Sequence, residues 1–264
     1  MKVVRIQDAT GTPRFATLDD EGTAHLLTAT TWEEIHAGTT LSGETVAAAE
    51  VQLLPVVAPS KIIGMAMAYL QDPNATFQPG VDRDPFFFLK PPSAIISHDD
   101  AIEVPAIAAG AVFESELAVI VGKRCKAVSA EEALDYVAGY TICNDMSAPV
   151  VMTGDGQWSR GKGFDTFCPI GPVVETELQN PEDTRIVATL TRDGEELKLV
   201  DSTTAKQIWS VAQSIAYASE YITLEPGDVV SMGCPPGPIP VRDGDIVTIT
   251  LDGIGTLRNP VVQL

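Results

Sequence analysis

Short apolar runs separated by Gly and Pro turns dominate the chain, and most are too short for helices. Val3, Val4 and Ile6 begin one strand, Arg14–Leu18 forms a second, and the Asp19–Gly22 cluster turns the chain into Ala24–Leu27. Thr31-Trp32-Glu33-Glu34-Ile35 reads as a short capped helix, and Pro55 and Pro59 bracket the exit from this first unit. From Lys61 onward, Ile62–Ala66, Phe86–Leu89 and Leu117–Val121 read as buried strands. A polar stretch between Gln71 and Pro85 is long enough to be a functional loop. Ser129 and Glu132 have capping-box spacing for a helix through Tyr136. A second helix is predicted after Asp201-Ser202-Thr203, with Ile208, Val211, Ala212, Ile215 and Ile222 on one face. Near the end, Gly227-Asp228 and Gly244-Asp245 each open a strand, and Val247, Ile249 and Leu251 alternate onto one side. The expected architecture is mainly β with some helix: a small N-terminal β-rich domain over 1–58 and a larger domain over 59–264.

Charge narrows the partners. With 17 Lys and Arg against 36 Asp and Glu, the formal charge is -19. That balance repels phosphate backbones and anionic lipid, so neither nucleic acid nor a membrane surface is an expected partner. No apolar run approaches the ~18 residues of a membrane span, and the N-terminus lacks the pattern of a signal peptide. Cys125, Cys143, Cys168 and Cys234 lack the spacing of a zinc site and read as reduced thiols of a cytoplasmic protein. An anionic substrate would need positive charge concentrated locally, which draws attention to lysines beside carboxylates.

Three segments carry candidate chemistry. Glu114 and Glu116 precede the apolar strand at Leu117, and in an extended chain they share one face. Tyr140–Asn144 reads as a strand that could deliver Asp145 to the same place, completing a hard oxygen site for magnesium or manganese, with calcium a further candidate. Lys162, between Gly161 and Gly163, is expected to approach a ligand closely.

Together these segments resemble the fumarylacetoacetate hydrolase family. The resemblance is carried by Glu114–Gly122, Gly139–Asp145 and Arg160–Phe167, joined by Phe87–Ser93, Thr223–Val229 and Gly253–Pro260, in order and spacing from about Lys61 to Val262. It implies a roll of mixed β-sheets around a metal pocket, with Glu114, Glu116 and Asp145 as metal ligands and Lys162 beside the substrate. It also implies a homodimer. Tyr69, Lys90 and Cys234 are expected on the substrate side. Family reactions are C–C hydrolysis, decarboxylation and keto–enol isomerisation of small 2-oxo acids or 1,3-dicarbonyls, which share stabilisation of a developing enolate.

The departures are as informative. Hydrolases of the family usually carry Asn-Tyr-x-x-His-x-x-Glu, whose His and Glu activate water. Here Tyr69 is kept, but Asp72 stands in the place of His and Ala75 in the place of Glu. Pro149-Val150 follows Asn144–Ala148 where the family continues with Arg-Asp, and Gly233-Cys234-Pro235 replaces Gly-Thr-Pro. Asp72 becomes the candidate base, since His25, His36 and His98 lie in segments that read as surface. Two alternatives remain beside a degradative enzyme: a lyase or cyclase of a specialised pathway, and a scaffold without catalysis.

Overall fold

A computed structural model describes residues 1–19, 21–47, 50–70, 76–77 and 83–264. Among these, twelve strands form one mixed sheet and five form a second. The strand Ser115–Val121 runs near the middle of the large sheet, antiparallel to Val137–Asn144 on one side and to Val229–Ser231 on the other. Every residue of Ser115–Val121 is buried, as expected of an apolar run covered on both faces. Val229–Ser231 pairs in parallel with Ile62–Met65, and Phe87–Lys90 closes that end of the sheet. The five-stranded sheet packs on one face, where Leu117, Val119 and Ile142 meet Ile186, Ala188 and Val247 in the largest apolar core. Val247, Ile249 and Leu251 turn inward together, as their alternation predicts.

The N-terminal strands continue the large sheet. Lys2 and Val3 pair with Glu175 and Val174. The opposite face of the sheet is covered by Trp32 and Ile35 of the helix Trp32–Ala37, which pack with Ala118, Ile120 and Ile170. Thr31 and Glu34 form the capping box that fixes where this helix begins.

Three local expectations change. Phe86–Leu89 was expected as a buried strand, but the strand is Phe87–Lys90, and Phe86 and Leu89 are 38% and 43% exposed. It is the outermost strand, so apolar residues there meet aromatic neighbours rather than a second sheet: Phe87 faces Tyr217, and Phe88 faces Trp158 at 5.5 Å. Residues 201–203 end a strand, and Thr203 caps only a single 3-10 turn at Thr204–Lys206. The helix is Val211–Tyr221, started by a capping box between Ser210 and Gln213. After Ser129, only a single 3-10 turn at Ala133–Tyr136 forms.

Candidate active site

Strand geometry assembles the acidic set. Glu116 sits within Ser115–Val121, and Glu114 lies one residue ahead of that strand. Asp145 follows the last residue of the neighbouring strand, and its amide donates to the Glu114 carbonyl at 3.0 Å. One carboxylate oxygen from each of Glu114, Glu116 and Asp145 lies within 4.8 Å of the others. Such crowding is unfavourable unless cations sit among the carboxylates.

Two ammonium groups do so. Lys162 Nζ donates to Glu114 Oε2 at 2.9 Å and also to Asp145 Oδ2. Lys90 Nζ lies 2.7 Å from Asp145 Oδ1, donates to the Met146 carbonyl at 3.2 Å and also meets the Lys162 carbonyl. Burial pushes the Asp145 carboxyl up, but Lys162 and Lys90 outweigh it and hold the group below the usual range. Glu116 lacks such a partner. Burial, reinforced by Asp145 and Glu114, raises its pKa well above normal. Its Oε2 accepts from Ser231 Oγ at 2.6 Å and from the Gly233 amide at 2.8 Å, whereas Oε1 has no hydrogen-bond partner among the described residues. Lys162 is buried, yet Asp145, Glu114 and Glu116 overcome that burial and raise its pKa, so it stays charged.

Each acid is also tied by groups the sequence did not single out. Ser147 Oγ donates to Glu114 Oε1 at 2.8 Å, and Asn144 Oδ1 accepts from the Glu114 amide at 3.1 Å. Gly233 has φ +85°, and a Cβ there would meet the Ala68 methyl at 2.7 Å, so only glycine presents this amide to Glu116. Short polar side chains beside carboxylates carry no distinctive signal in one sequence. The anchors were therefore not legible, although Gly233 falls within the Gly-Cys-Pro segment.

The acids and Lys162 form the floor of a pocket of about 190 Å³. Its walls are largely apolar, with Met67, Phe88, Met152, Trp158 and Pro235 among them. Lys162 Nζ also lies 4.6 Å from the Phe88 ring centroid, close enough for a cation–π contact.

The expected substrate-side residues divide. Cys234 lines the pocket. Burial and the nearby Glu114 and Glu116 push its thiol pKa well up, so it is a neutral group rather than a thiolate nucleophile. Lys90 does not line the pocket: its side chain is fully buried behind the acids, where its ammonium is committed to Asp145 and to backbone carbonyls. Tyr69 is buried beneath the rim and is not among the lining residues. Burial, then Cys234 and Glu116, raise its hydroxyl pKa. Asp72 and Ala75 lie outside the described residues. The glycines beside Lys162 face protein rather than ligand. A Cβ on Gly161 would collide with the Met152 side chain, and one on Gly163 with the Ser159 carbonyl of its own turn and, at 3.0 Å, with Pro91 Cδ, so the missing side chains let the helix Ser159–Lys162 close and pack against its neighbours.

The three histidines sit apart from the pocket lining. His25 pairs with Asp19 at 2.8 Å, His36 Nδ1 lies 3.1 Å from the Val137 carbonyl, and His98 Nδ1 accepts from the Arg258 amide.

Comparison with known proteins agrees with this architecture. Residues 61–262 match the fumarylacetoacetate (FAA) hydrolase C-terminal family model, and residues 1–55 match an Rv2993c-like N-terminal model. The chain belongs to the fumarylacetoacetate hydrolase family. It is 39% identical to protein Rv2993c of Mycobacterium tuberculosis, covering 100% of this chain and 98% of that protein. A 5-carboxymethyl-2-hydroxymuconate delta-isomerase from Mycobacterium smegmatis superposes with TM-score 0.88 at 35% identity, with both chains fully covered. A maleylpyruvate hydrolase from Sphingobium sp. SYK-6, in complex with manganese(II) and pyruvate, superposes with TM-score 0.78 at 28% identity, covering 100% of this chain and 99% of that one. Relatives of this chain thus include isomerases and hydrolases.

Proposed function

We propose that this chain is a divalent-metal-dependent enzyme that acts on a small 2-oxo acid or 1,3-dicarbonyl by C–C cleavage, decarboxylation or isomerisation. The observation that carries this reading is the convergence of Glu114, Glu116 and Asp145 within 4.8 Å at the floor of a pocket, with Lys162 among them. The donor set fits magnesium or manganese: three carboxylates, with Glu116 Oε1 unpartnered among the described residues. The ion would supply Lewis-acid stabilisation of the negative charge that develops on a carbonyl oxygen when the adjacent carbon loses a proton or a carboxyl group.

The chain's own residues do the rest. Asp145 is held ionised by two lysines and is therefore ready as a ligand without waiting for a proton to leave. Lys162, permanently charged, places a cation beside the carboxylate of a substrate and does not act as a base. The neutral Cys234 thiol adds a polar, unreactive group at the wall. Asp72 remains our candidate for proton transfer. Cytoplasmic residence, supported by the free cysteines, and a homodimer, supported by the exposed Phe86, Leu89 and Tyr221, complete the proposal.

The test is turnover of acetylpyruvate and of oxaloacetate with Mg²⁺ or Mn²⁺, with and without chelator, in wild type and Glu116→Ala. Loss of either substrate that needs metal and disappears in Glu116→Ala is the expected result. Absence of turnover, together with a melting temperature that metal does not raise, would leave only a scaffold.

A further inference from the structure

Resting on that reading, we infer that the pocket selects substrates with one carboxylate and an apolar tail, and disfavours those with a second carboxylate on the tail. The first argument is charge. In ionised form, three carboxylates face two buried ammonium groups, Lys162 and Lys90, which leaves one negative charge. A divalent ion turns that into one positive charge, which a single substrate carboxylate cancels. A second carboxylate would enter a confined site with no cation left to meet it, and an unpaired charge out of water is strongly disfavoured.

The second argument is the wall. Lys162 is the one cation among the described lining residues, and Met67, Met152, Phe88, Trp158 and Pro235 offer apolar surface. Two further cations near the rim, Arg83 and Arg160, are not among the lining residues. Arg83 donates to the Met67 carbonyl and lies 3.2 Å from Met67 Sδ, while its guanidinium stacks 5.3 Å from Phe77 and 5.4 Å from Trp209. Arg160 is held by Asp155 at 2.7 Å. The segment 71–82 contains neither Lys nor Arg in its sequence, so it adds no cation of its own. The formal charge of -19 works in the same direction, repelling a dianion more than a monoanion. A volume of about 190 Å³, against roughly 300–1,000 Å³ for drug-sized ligands, keeps the tail short.

Two isosteric pairs test this. As substrates, 4-methylpentanoylpyruvate and 3-carboxypropanoylpyruvate differ only by an isopropyl group in place of a carboxylate. As inert probes, N-(3-methylbutyl)oxamate and N-(2-carboxyethyl)oxamate differ in the same way and need no turnover. By calorimetry on manganese-loaded protein, the alkyl oxamate is expected to bind at least about tenfold more tightly. Trp158→Ala should weaken the alkyl probe alone. Met67→Lys, at an exposed rim position, should narrow or reverse the preference. Equal or tighter binding of the carboxyethyl probe, binding of neither, or a preference unmoved by Met67→Lys would overturn the inference. If the oxamates discriminate but neither acylpyruvate is converted, the selectivity stands and the proposed reaction falls. If both acylpyruvates are converted equally and the oxamates bind equally, the reaction stands and the selectivity falls.

Discussion

The floor and the rim of the pocket are built on opposite plans. Each floor acid is fixed by the central strands of the large sheet and by at least one short polar contact: Ser147 for Glu114, Ser231 and Gly233 for Glu116, and two lysines for Asp145. The rim is made of side chains from a turn, an edge strand and two short helices, held mostly by aromatic and apolar contacts. Met67 is 54% exposed and adopts φ +51°, a region costly for a residue with a Cβ. A charged floor tolerates little change because each group satisfies another. A rim of independent apolar contacts can vary and so can reshape the tail that fits.

Substitutions can break this contrast at either end. Asp145→Asn should have the largest effect, destabilising the metal-free protein by about 3–5 kcal/mol by denaturant unfolding, because among the described residues it removes the one carboxylate paired with buried Lys90 and leaves Lys162 with Glu114 alone. Ser231→Ala should cost about 0.5–1.5 kcal/mol in the metal-free protein, where Glu116 is neutral, and metal affinity, read by titration, should fall roughly 10–100-fold. Glu116→Gln should act in the opposite sense to Asp145→Asn. Because burial and the neighbouring acids raise its pKa, the folded protein holds this proton when the unfolded chain has already released it, above about pH 4.3. Wild-type stability without metal should therefore fall as pH rises through that range. Glu116→Gln should flatten the fall and melt higher near neutrality, while losing the metal-induced rise in melting temperature. A wild-type profile without this slope would mean that Glu116 is not strained in the metal-free state. Met67→Ala should be the mildest, within about 0.5 kcal/mol of wild type, and should alter only which substrates are used.

Legibility in the sequence follows the same division. Glu114, Glu116, Asp145 and Lys162 could be named because strand period places the glutamates together and because the flanking segments match a family pattern. The capped helix at Trp32 and the alternation from Val247 to Leu251 were equally readable, since each is a local rule obeyed locally. The role of Lys90 was not readable, because a lysine beside two prolines gives no sign that it will be buried against Asp145, 55 positions along the chain. Nor could the sequence show that Phe86–Leu89 would sit on an outermost strand, where an apolar run keeps its type but loses its cover. Gly161 and Gly163 misled for a related reason: a glycine reports that something comes close, and here that neighbour was the protein itself.

The pairing of Lys2 and Val3 with Glu175 and Val174 bears on how the protein can be cut and handled. The strand Cys168–Glu175 lies against the strand that ends at Asn144, one residue before Asp145. Deleting the first unit would bare backbone donors and acceptors along that strand, as well as the apolar surface now under Trp32 and Ile35. An open strand edge of this kind recruits further strands from other molecules. A version trimmed to residues 59–264 should therefore clump on expression, even though it retains all three acids.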